Sequence, residues 1–420
     1  MRADVFYREN ETRETSLGNI PNDWEVVRLG DAARLIMGQS PPSSTYNKEG
    51  VGLPFLQGKM EFGEIYPSPV VYCSDPLKMA EKDDILMSVR APVGDVNLTP
   101  YKLCIGRGLG AIRFNQKTAD HLFYFYYLQL IKSAIDRLGK GSTFKAIVKS
   151  DLEGLSVVVP PRREQQRASE ILWNVDRAIQ KTNDIITTAE RLKKALMQKL
   201  LTRGIGHKEF KDSEIGRIPE NWDASRLGDV AKLESGGTPS RKKREYWNGT
   251  VPWLKSGELN DGEIRDTEER ITKLGLEKSS AKVFPKGTLL MALYGRGTVS
   301  KTAILGIDSA TNQAIGAILP KDGSFEPRYM QHCLVFLRNK LLNQLVNPSS
   351  DVGRTNIYLG TLKLFRVPIP PVREQQKIAE NLSVISKKLE LERNQKAKLE
   401  KAKQALMDLL LTGKVRIKVD

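Results

Sequence analysis

The sequence predicts a chain of mixed α/β (α+β) class with an internal repeat: two similar globular domains, each followed by a long helix, the two helices packing antiparallel. Three observations predict it. Motifs recur at an offset of about 200 residues, which signals duplicated domains rather than a solenoid. Two stretches, Arg163–Leu201 and Arg373–Leu411, contain neither Gly nor Pro and carry apolar residues at steps of three and four. The remainder of each repeat is rich in Gly and Pro around short β-like runs.

The repeat begins at Ser16–Asp31, SLGNIPNDWEVVRLGD, and Ser213–Asp229, SEIGRIPENWDASRLGD. Gly18, Pro21, Trp24, Leu29, Gly30 and Asp31 match Gly216, Pro219, Trp222, Leu227, Gly228 and Asp229 at an offset of 198 (216 − 18). Ile105–Ile112, IGRGLGAI, matches Thr311–Ile318, TNQAIGAI, at 206 (316 − 110). Val157–Gln166, VVVPPRREQQ, matches Val367–Gln376, VPIPPVREQQ, at 210 (373 − 163). The string leading out of the first helix, LLTRGIGHKEF, is echoed by the chain's tail, LLTGKVRIK, read on into its head. The repeat is thus cyclic in character, which predicts an approximate two-fold axis and nearby termini.

Inside the globular parts, Asp84–Val89, Thr288–Leu293 and Leu155–Val159 read as strands, and Leu122–Ile131 and Met330–Leu342 as helices. Tyr124, Tyr126 and Tyr127 read as core residues of such a helix, with base stacking the less favoured alternative. In the first long helix Ile171, Val175, Ala178, Thr182, Ile185, Ala189, Leu192 and Leu196 form the predicted seam. In the second the seam is Ile378, Leu382, Ile385, Leu389, Leu399, Leu406 and Leu410, interrupted by Glu392, Lys396 and Lys403. Neither helix can bury its seam alone. The boundaries that follow are an arm over 1–15, a first domain over 16–161, its helix over 162–205, a second domain over 206–371, its helix over 372–412 and a tail over 413–420.

Composition narrows the function. The 420 residues hold 66 Lys+Arg against 50 Asp+Glu, a net charge of +16, which suits a polyanionic partner. No apolar run is long enough to span a bilayer and no signal-peptide core opens the chain, so the expected location is cytoplasmic. Cys73, Cys104 and Cys333 are widely spaced and read as buried small hydrophobes. Three histidines, none in a ligand pattern, give no metal centre to build from. Gly295–Thr302, GRGTVSKT, nearly spells a phosphate loop, but Ser300 replaces its second glycine, so it reads as a hairpin turn. Ser40-Pro41-Pro42-Ser43 lacks the terminal aromatic of an amino-methyltransferase motif.

The Pro-Pro-x-Arg-Glu-Gln-Gln boxes, the helices ending Leu-Leu-Thr, the G-x-I-P-x-x-W-x-x-x-x-L-G-D openings and the duplication together resemble the specificity subunits of Type I restriction–modification systems. The resemblance covers essentially the whole chain. It implies two target recognition domains, each reading half of a split, asymmetric double-stranded DNA site, with the helices as a ruler for the gap. It implies two docked methyltransferase subunits and, for restriction, motor-nuclease (translocase) subunits. S-adenosylmethionine, Mg and ATP would then belong to those partners, and this chain would bind no cofactor or metal and have no catalytic residues. A self-sufficient DNA-modifying enzyme and a helical adaptor that binds only proteins are the alternatives.

Candidate DNA contacts in the first domain are Arg90, Arg107, Lys140, Ser142, Thr143 and Lys145. The two arginines could hold guanine bidentately and the others phosphates. In the second domain they are Arg241, Lys242, Lys243, Arg244, Arg296, Asn312, Gln313, Arg354, Thr355 and Asn356, with Asn312 or Gln313 suited to adenine. A solvated charge is the plain alternative for each Arg and Lys, and a strand-holding pair for Asn312 and Gln313. Lys193, Lys194 and Lys199 are expected to face away from the seam into solvent. The boxes give candidate partner-docking residues Glu164, Gln165, Gln166, Glu374, Gln375 and Gln376; the alternative is a domain-to-helix joint used twice.

Overall fold

The computed structural model describes residues 6–139, 146–295, 297–345 and 356–418. The chain divides into two compact units, Met1–Asn183 with Asn394–Asp420, and Asp184–Arg393. Each therefore combines one globular domain with the first part of its following long helix and the last part of the other. These helices are Arg162–Arg203 and Val372–Leu410, ending slightly before the sequence-derived limits because Gly204 and Gly413 adopt positive φ. A Cβ on Gly204 would lie 2.5 Å from a Glu374 oxygen, and one on Gly413 2.4 Å from the Pro21 ring, so both helix ends need glycine.

In the first unit an antiparallel sheet runs Val96–Leu98, Ile85–Ser88, Leu109–Phe114, Ala33–Met37. A five-stranded sheet packs beside it, with Leu53–Leu56 and Leu103–Ile105 parallel at its centre. The strand Ile85–Ser88 is buried along its whole length. Its two-residue period sends Ile85 and Met87 into the core with the helix His121–Leu130, and Leu86 into the core under the second sheet. That helix is capped by Asp120, which accepts from Phe123 N, and its tyrosines 124, 126 and 127 are buried, as expected for a core helix.

The second unit repeats the plan. Its five-stranded sheet runs Ala231–Ser235, Ile315–Pro320, Leu289–Ala292, Thr302–Leu305, Glu263–Ile264, and Leu289 and Leu290 again face different cores. The expected second-domain helix is two helices, Pro327–Phe336 and Arg338–Leu345. Gly297–Ser300 are in a turn between antiparallel strands, with Thr298 N donating to Gly295 O at 3.1 Å, so the near-phosphate-loop motif is a hairpin turn. Of the stretch assigned to an arm, Phe6–Arg8 pairs with Val415–Ile417, and Thr12–Thr15 with Gly18–Pro21. All three cysteines are buried.

The long helices pack antiparallel, Asp176 meeting Lys403 and Glu190 meeting Arg393. The second seam has the expected face, with Ile378, Leu382, Leu389 and Leu410 buried. The first is partly displaced: Thr182 is buried as expected, but Leu172, Ile179 and Met197 are buried beside the predicted positions, whereas Ile185 and Leu192 are exposed. Lys193 is half-buried rather than solvated, and burial followed by the nearby Arg393 charge lowers its pKa. Lys194 and Lys199 are exposed.

Each box is a satisfied internal joint. Trp24 Nε1 donates to Glu164 Oε2 at 3.1 Å, and Trp222 Nε1 to Glu374 Oε2 at the same distance. Gln165 accepts from Asp120 N and donates to Pro160 O, both 2.8 Å; Gln375 accepts from Glu326 N and donates to Pro370 O, both 2.8 Å. Glu164, Gln165 and Gln375 are buried and the Glu374 side chain is 13% exposed, so these four serve the joint between domain and helix. Only Gln166 and Gln376 are exposed. The box is inward-facing because a strand end, a helix start and an indole all leave polar groups that the Glu-Gln pair satisfies.

Candidate nucleic-acid interface

Three loops of the first unit converge at one sheet end: Gly38–Ser40, Gln57-Gly58 and Gly106–Gly108. Backbone bonds fix them, Gly38 N to Leu109 O at 2.9 Å, Gln39 N to Ile105 O at 3.0 Å and Gly106 N to Leu56 O at 2.8 Å. The approach is close enough that a Cβ on Gly38 would lie 2.2 Å from Gly106 O. Ser40 Oγ sits 2.8 Å from Gln57 Nε2 and accepts from Arg107 N at 3.3 Å. The Arg107 side chain is exposed. Val89 N donates to Gly108 O at 2.9 Å and Arg90 bridges to Ala146, so exposed Arg90 borders the same cluster.

The second unit builds the same cluster from different side chains. Gly237 N bonds Thr311 O at 2.9 Å and Asn312 N bonds Leu254 O at 3.0 Å, while a Cβ on Gly236 would lie 2.1 Å from Thr311 O. Gln313 stands where Arg107 does, its Oε1 accepting from Thr238 Oγ1. Tyr294 bridges to Asn356 as Arg90 does to Ala146. Asn312 instead turns inward, its Oδ1 accepting from Ala314 N at 3.1 Å, which makes it a turn-former.

The basic cluster separates into two kinds of residue. The Arg241 guanidinium lies 3.6 Å from the Trp247 ring centroid and pairs with Glu269, whose carboxyl it helps hold below its ordinary pKa. It is a matched structural charge rather than a free cation. Lys243 Nζ is 2.9 Å from the Tyr246 hydroxyl. Lys242 and Arg244 are exposed. Lys140, Ser142, Thr143, Lys145, Arg296, Arg354 and Thr355 lie outside the described residues.

Sequence reasoning overlooked Ser40, Gln57 and Thr238. Ser40 and Thr238 share the 198-residue offset (238 − 40), and both are hydroxyl residues two places after a matched glycine. That recurrence was the available signal.

The sequence matches the Type I restriction modification DNA specificity domain over residues 21–191 and again over 219–401. The chain belongs to the Type I restriction–modification specificity family. The type I restriction enzyme MjaVIII specificity subunit of Methanocaldococcus jannaschii is 29% identical over 423 residues, spanning 98% of this chain and 98% of that protein. A second protein of that organism, provisionally named as the type I restriction enzyme MjaX specificity subunit, is 51% identical over 198 residues. That match spans about half of this chain and about half of that relative, 47% of each. The crystal structure of the Type I restriction–modification system S subunit from M. genitalium shares the fold, with a TM-score of 0.67 at 16% identity over 95% of this specificity-family chain and 98% of that one. Among the described residues of this specificity-family chain, no helix is long and apolar enough to cross a membrane.

Proposed function

We propose that this specificity-family chain is the non-catalytic reader of a Type I complex, each unit recognising one half of a split double-stranded DNA site. The observation that carries this is the duplicated three-loop cluster: the backbone scaffold and the first-loop glycine (Gly38 and Gly236) are common to both units, while the tips differ, exposed Arg107 and Arg90 against exposed Gln313 and half-buried Tyr294. A reader of two unrelated half-sites needs a constant frame and variable tips. The +16 charge supplies phosphate attraction, and the long helices serve as the spacer between half-sites. Methyltransferase subunits dock on this chain and restriction subunits join through them. S-adenosylmethionine, Mg and ATP are bound by those partners.

The test is to reconstitute the chain with its methyltransferase partner and map methylated adenines in host DNA. A split motif with a constant gap is expected, and DNA affinity should fall on the order of 10³-fold between 50 and 200 mM salt. A stable, DNA-binding complex that methylates no split motif rejects the reading. Methylation by the purified chain alone would favour a self-sufficient enzyme, and a flat salt response a protein-only adaptor.

A further inference from the structure

The two clusters correspond position by position, which allows a sharper statement about the tips. The structural correspondence matches Gly38 with Gly236, Ser40 with Thr238, Arg107 with Gln313 and Arg90 with Tyr294, each at the sequence offset of its own segment. In both units the hydroxyl of the first loop reaches the tip residue of the third: Ser40 Oγ accepts from the Arg107 backbone, and Thr238 Oγ1 donates to the Gln313 side chain. The first-loop hydroxyl thus fixes where the tip projects: through the backbone at Arg107, and through the amide itself at Gln313.

What the tips present differs in kind. The Arg107 guanidinium offers only donors and makes no ion pair, side-chain hydrogen bond or ring contact among the described residues. Gln313 offers an amide with one acceptor and one donor end, and Thr238 fixes which end is which by donating to Oε1. In the major groove guanine presents two adjacent acceptors, whereas adenine presents one acceptor and one donor. We infer that Arg107 and Gln313 are the matched base-selecting residues of the two units, Arg107 for a guanine in one half-site and Gln313 for an adenine in the other. Ser40 and Thr238 act as positioning residues behind them. The inference rests on the DNA-reading proposal above.

The experiment is selection from a pool of duplexes of random sequence by the complex of this chain with its methyltransferase partner, using wild type, Arg107→Ala, Gln313→Ala and Gln313→Arg. Wild type should enrich a split motif with guanine at one position of one half-site and adenine at one position of the other. Arg107→Ala should relax the guanine position by roughly tenfold to a hundredfold, leaving the second half-site unchanged. Gln313→Ala should do the converse, and Gln313→Arg should move preference at that position toward guanine. Because both tips are exposed, all variants should melt with wild type. A wild-type motif retained at full stringency by both alanine variants overturns the inference and leaves the reading of DNA intact. So does uniform weakening at every position, which marks the residues as phosphate contacts. Failure of wild type to enrich any split motif overturns the reading itself.

Discussion

Replacing Arg416 with alanine is expected to destabilise the first unit by about 3 kcal/mol, the size of effect seen when one member of a buried ion pair is removed. Its side chain, 11% exposed, meets Glu9 at 2.8 Å, Asp23 at 2.7 Å and Glu164 at 2.7 Å. Glu164 is itself 4% exposed, so the variant leaves a buried carboxylate with the Trp24 indole as its remaining side-chain donor. For a unit of this size the unfolding midpoint should drop roughly 6 to 12 °C in a thermal melt. Arg416→Lys should fall between, since an ammonium cannot reproduce the planar fork that serves three carboxylates. The Arg416 hydrogen bond holds the Glu9 carboxyl below the ordinary glutamate value of 4.5. A carboxyl depressed in the folded state contributes stability above its unfolded pKa, so this part is present above about pH 4.5 and is lost as pH falls through the lower folded value. An unchanged midpoint for Arg416→Ala would show that the cluster is not coupled to folding.

Asp176→Ala should cost about 2 to 4 kcal/mol by denaturant titration. The buried Asp176 carboxylate accepts from the Tyr126 hydroxyl at 2.8 Å and pairs with Lys403 at 2.7 Å, joining the domain helix to both long helices. Alanine strands a fully buried phenol and a half-buried ammonium together. Asp176→Asn should be milder because the amide oxygen still accepts from the phenol. Adding Lys403→Met to Asp176→Ala should recover part of the loss, and strict additivity of the two would show that the pair is uncoupled. The second unit has no acid at the matched place. Ser386, 210 residues on (386 − 176), instead donates to its own helix at Leu382 O, and His332 occupies the position of Tyr126. Burial, then the Lys193 and Arg328 charges, lower the His332 pKa to about 4, so it is neutral at physiological pH, and among the described residues its Nε2 has no hydrogen-bond partner.

The repeat, the core strands and both long helices were legible because each is written in local periodicity or in recurrence. The first seam was misplaced for a physical reason: that helix also packs on its own domain, with Trp173 edge-on to Tyr66, so its burial answers to two neighbours. The charged residues Lys193, Glu392 and Lys403 that read as interruptions or surface lie on the covered side of the helices, with Asp176 beside them. Gln165 and Gln375 read as surface for a similar reason. Their partners, Asp120 N and Glu326 N, are more than forty residues away, and only folding brings them into range. Ser40 read only as the start of a Ser-Pro-Pro-Ser string, and nothing local indicated that Gln57 and Arg107 would meet it.

Because the first unit takes residues from both ends of the chain, the order of synthesis does not match the order of completion. Once residue 183 has been made, the ribosome must add all of Asp184–Arg393 before the closing segment Asn394–Asp420 appears. At about 5 to 20 residues per second that delay lasts roughly 10 to 40 s. During it Glu164 waits for Arg416, Asp176 for Lys403, and Leu172 for the helix that covers it. The second unit lies in one uninterrupted segment and has no such wait, so it should fold first although it is made later. A nascent chain arrested at residue 393 should therefore resist limited proteolysis in its later half and be cut in its earlier half. Equal resistance in both halves would show that the first unit closes without the tail.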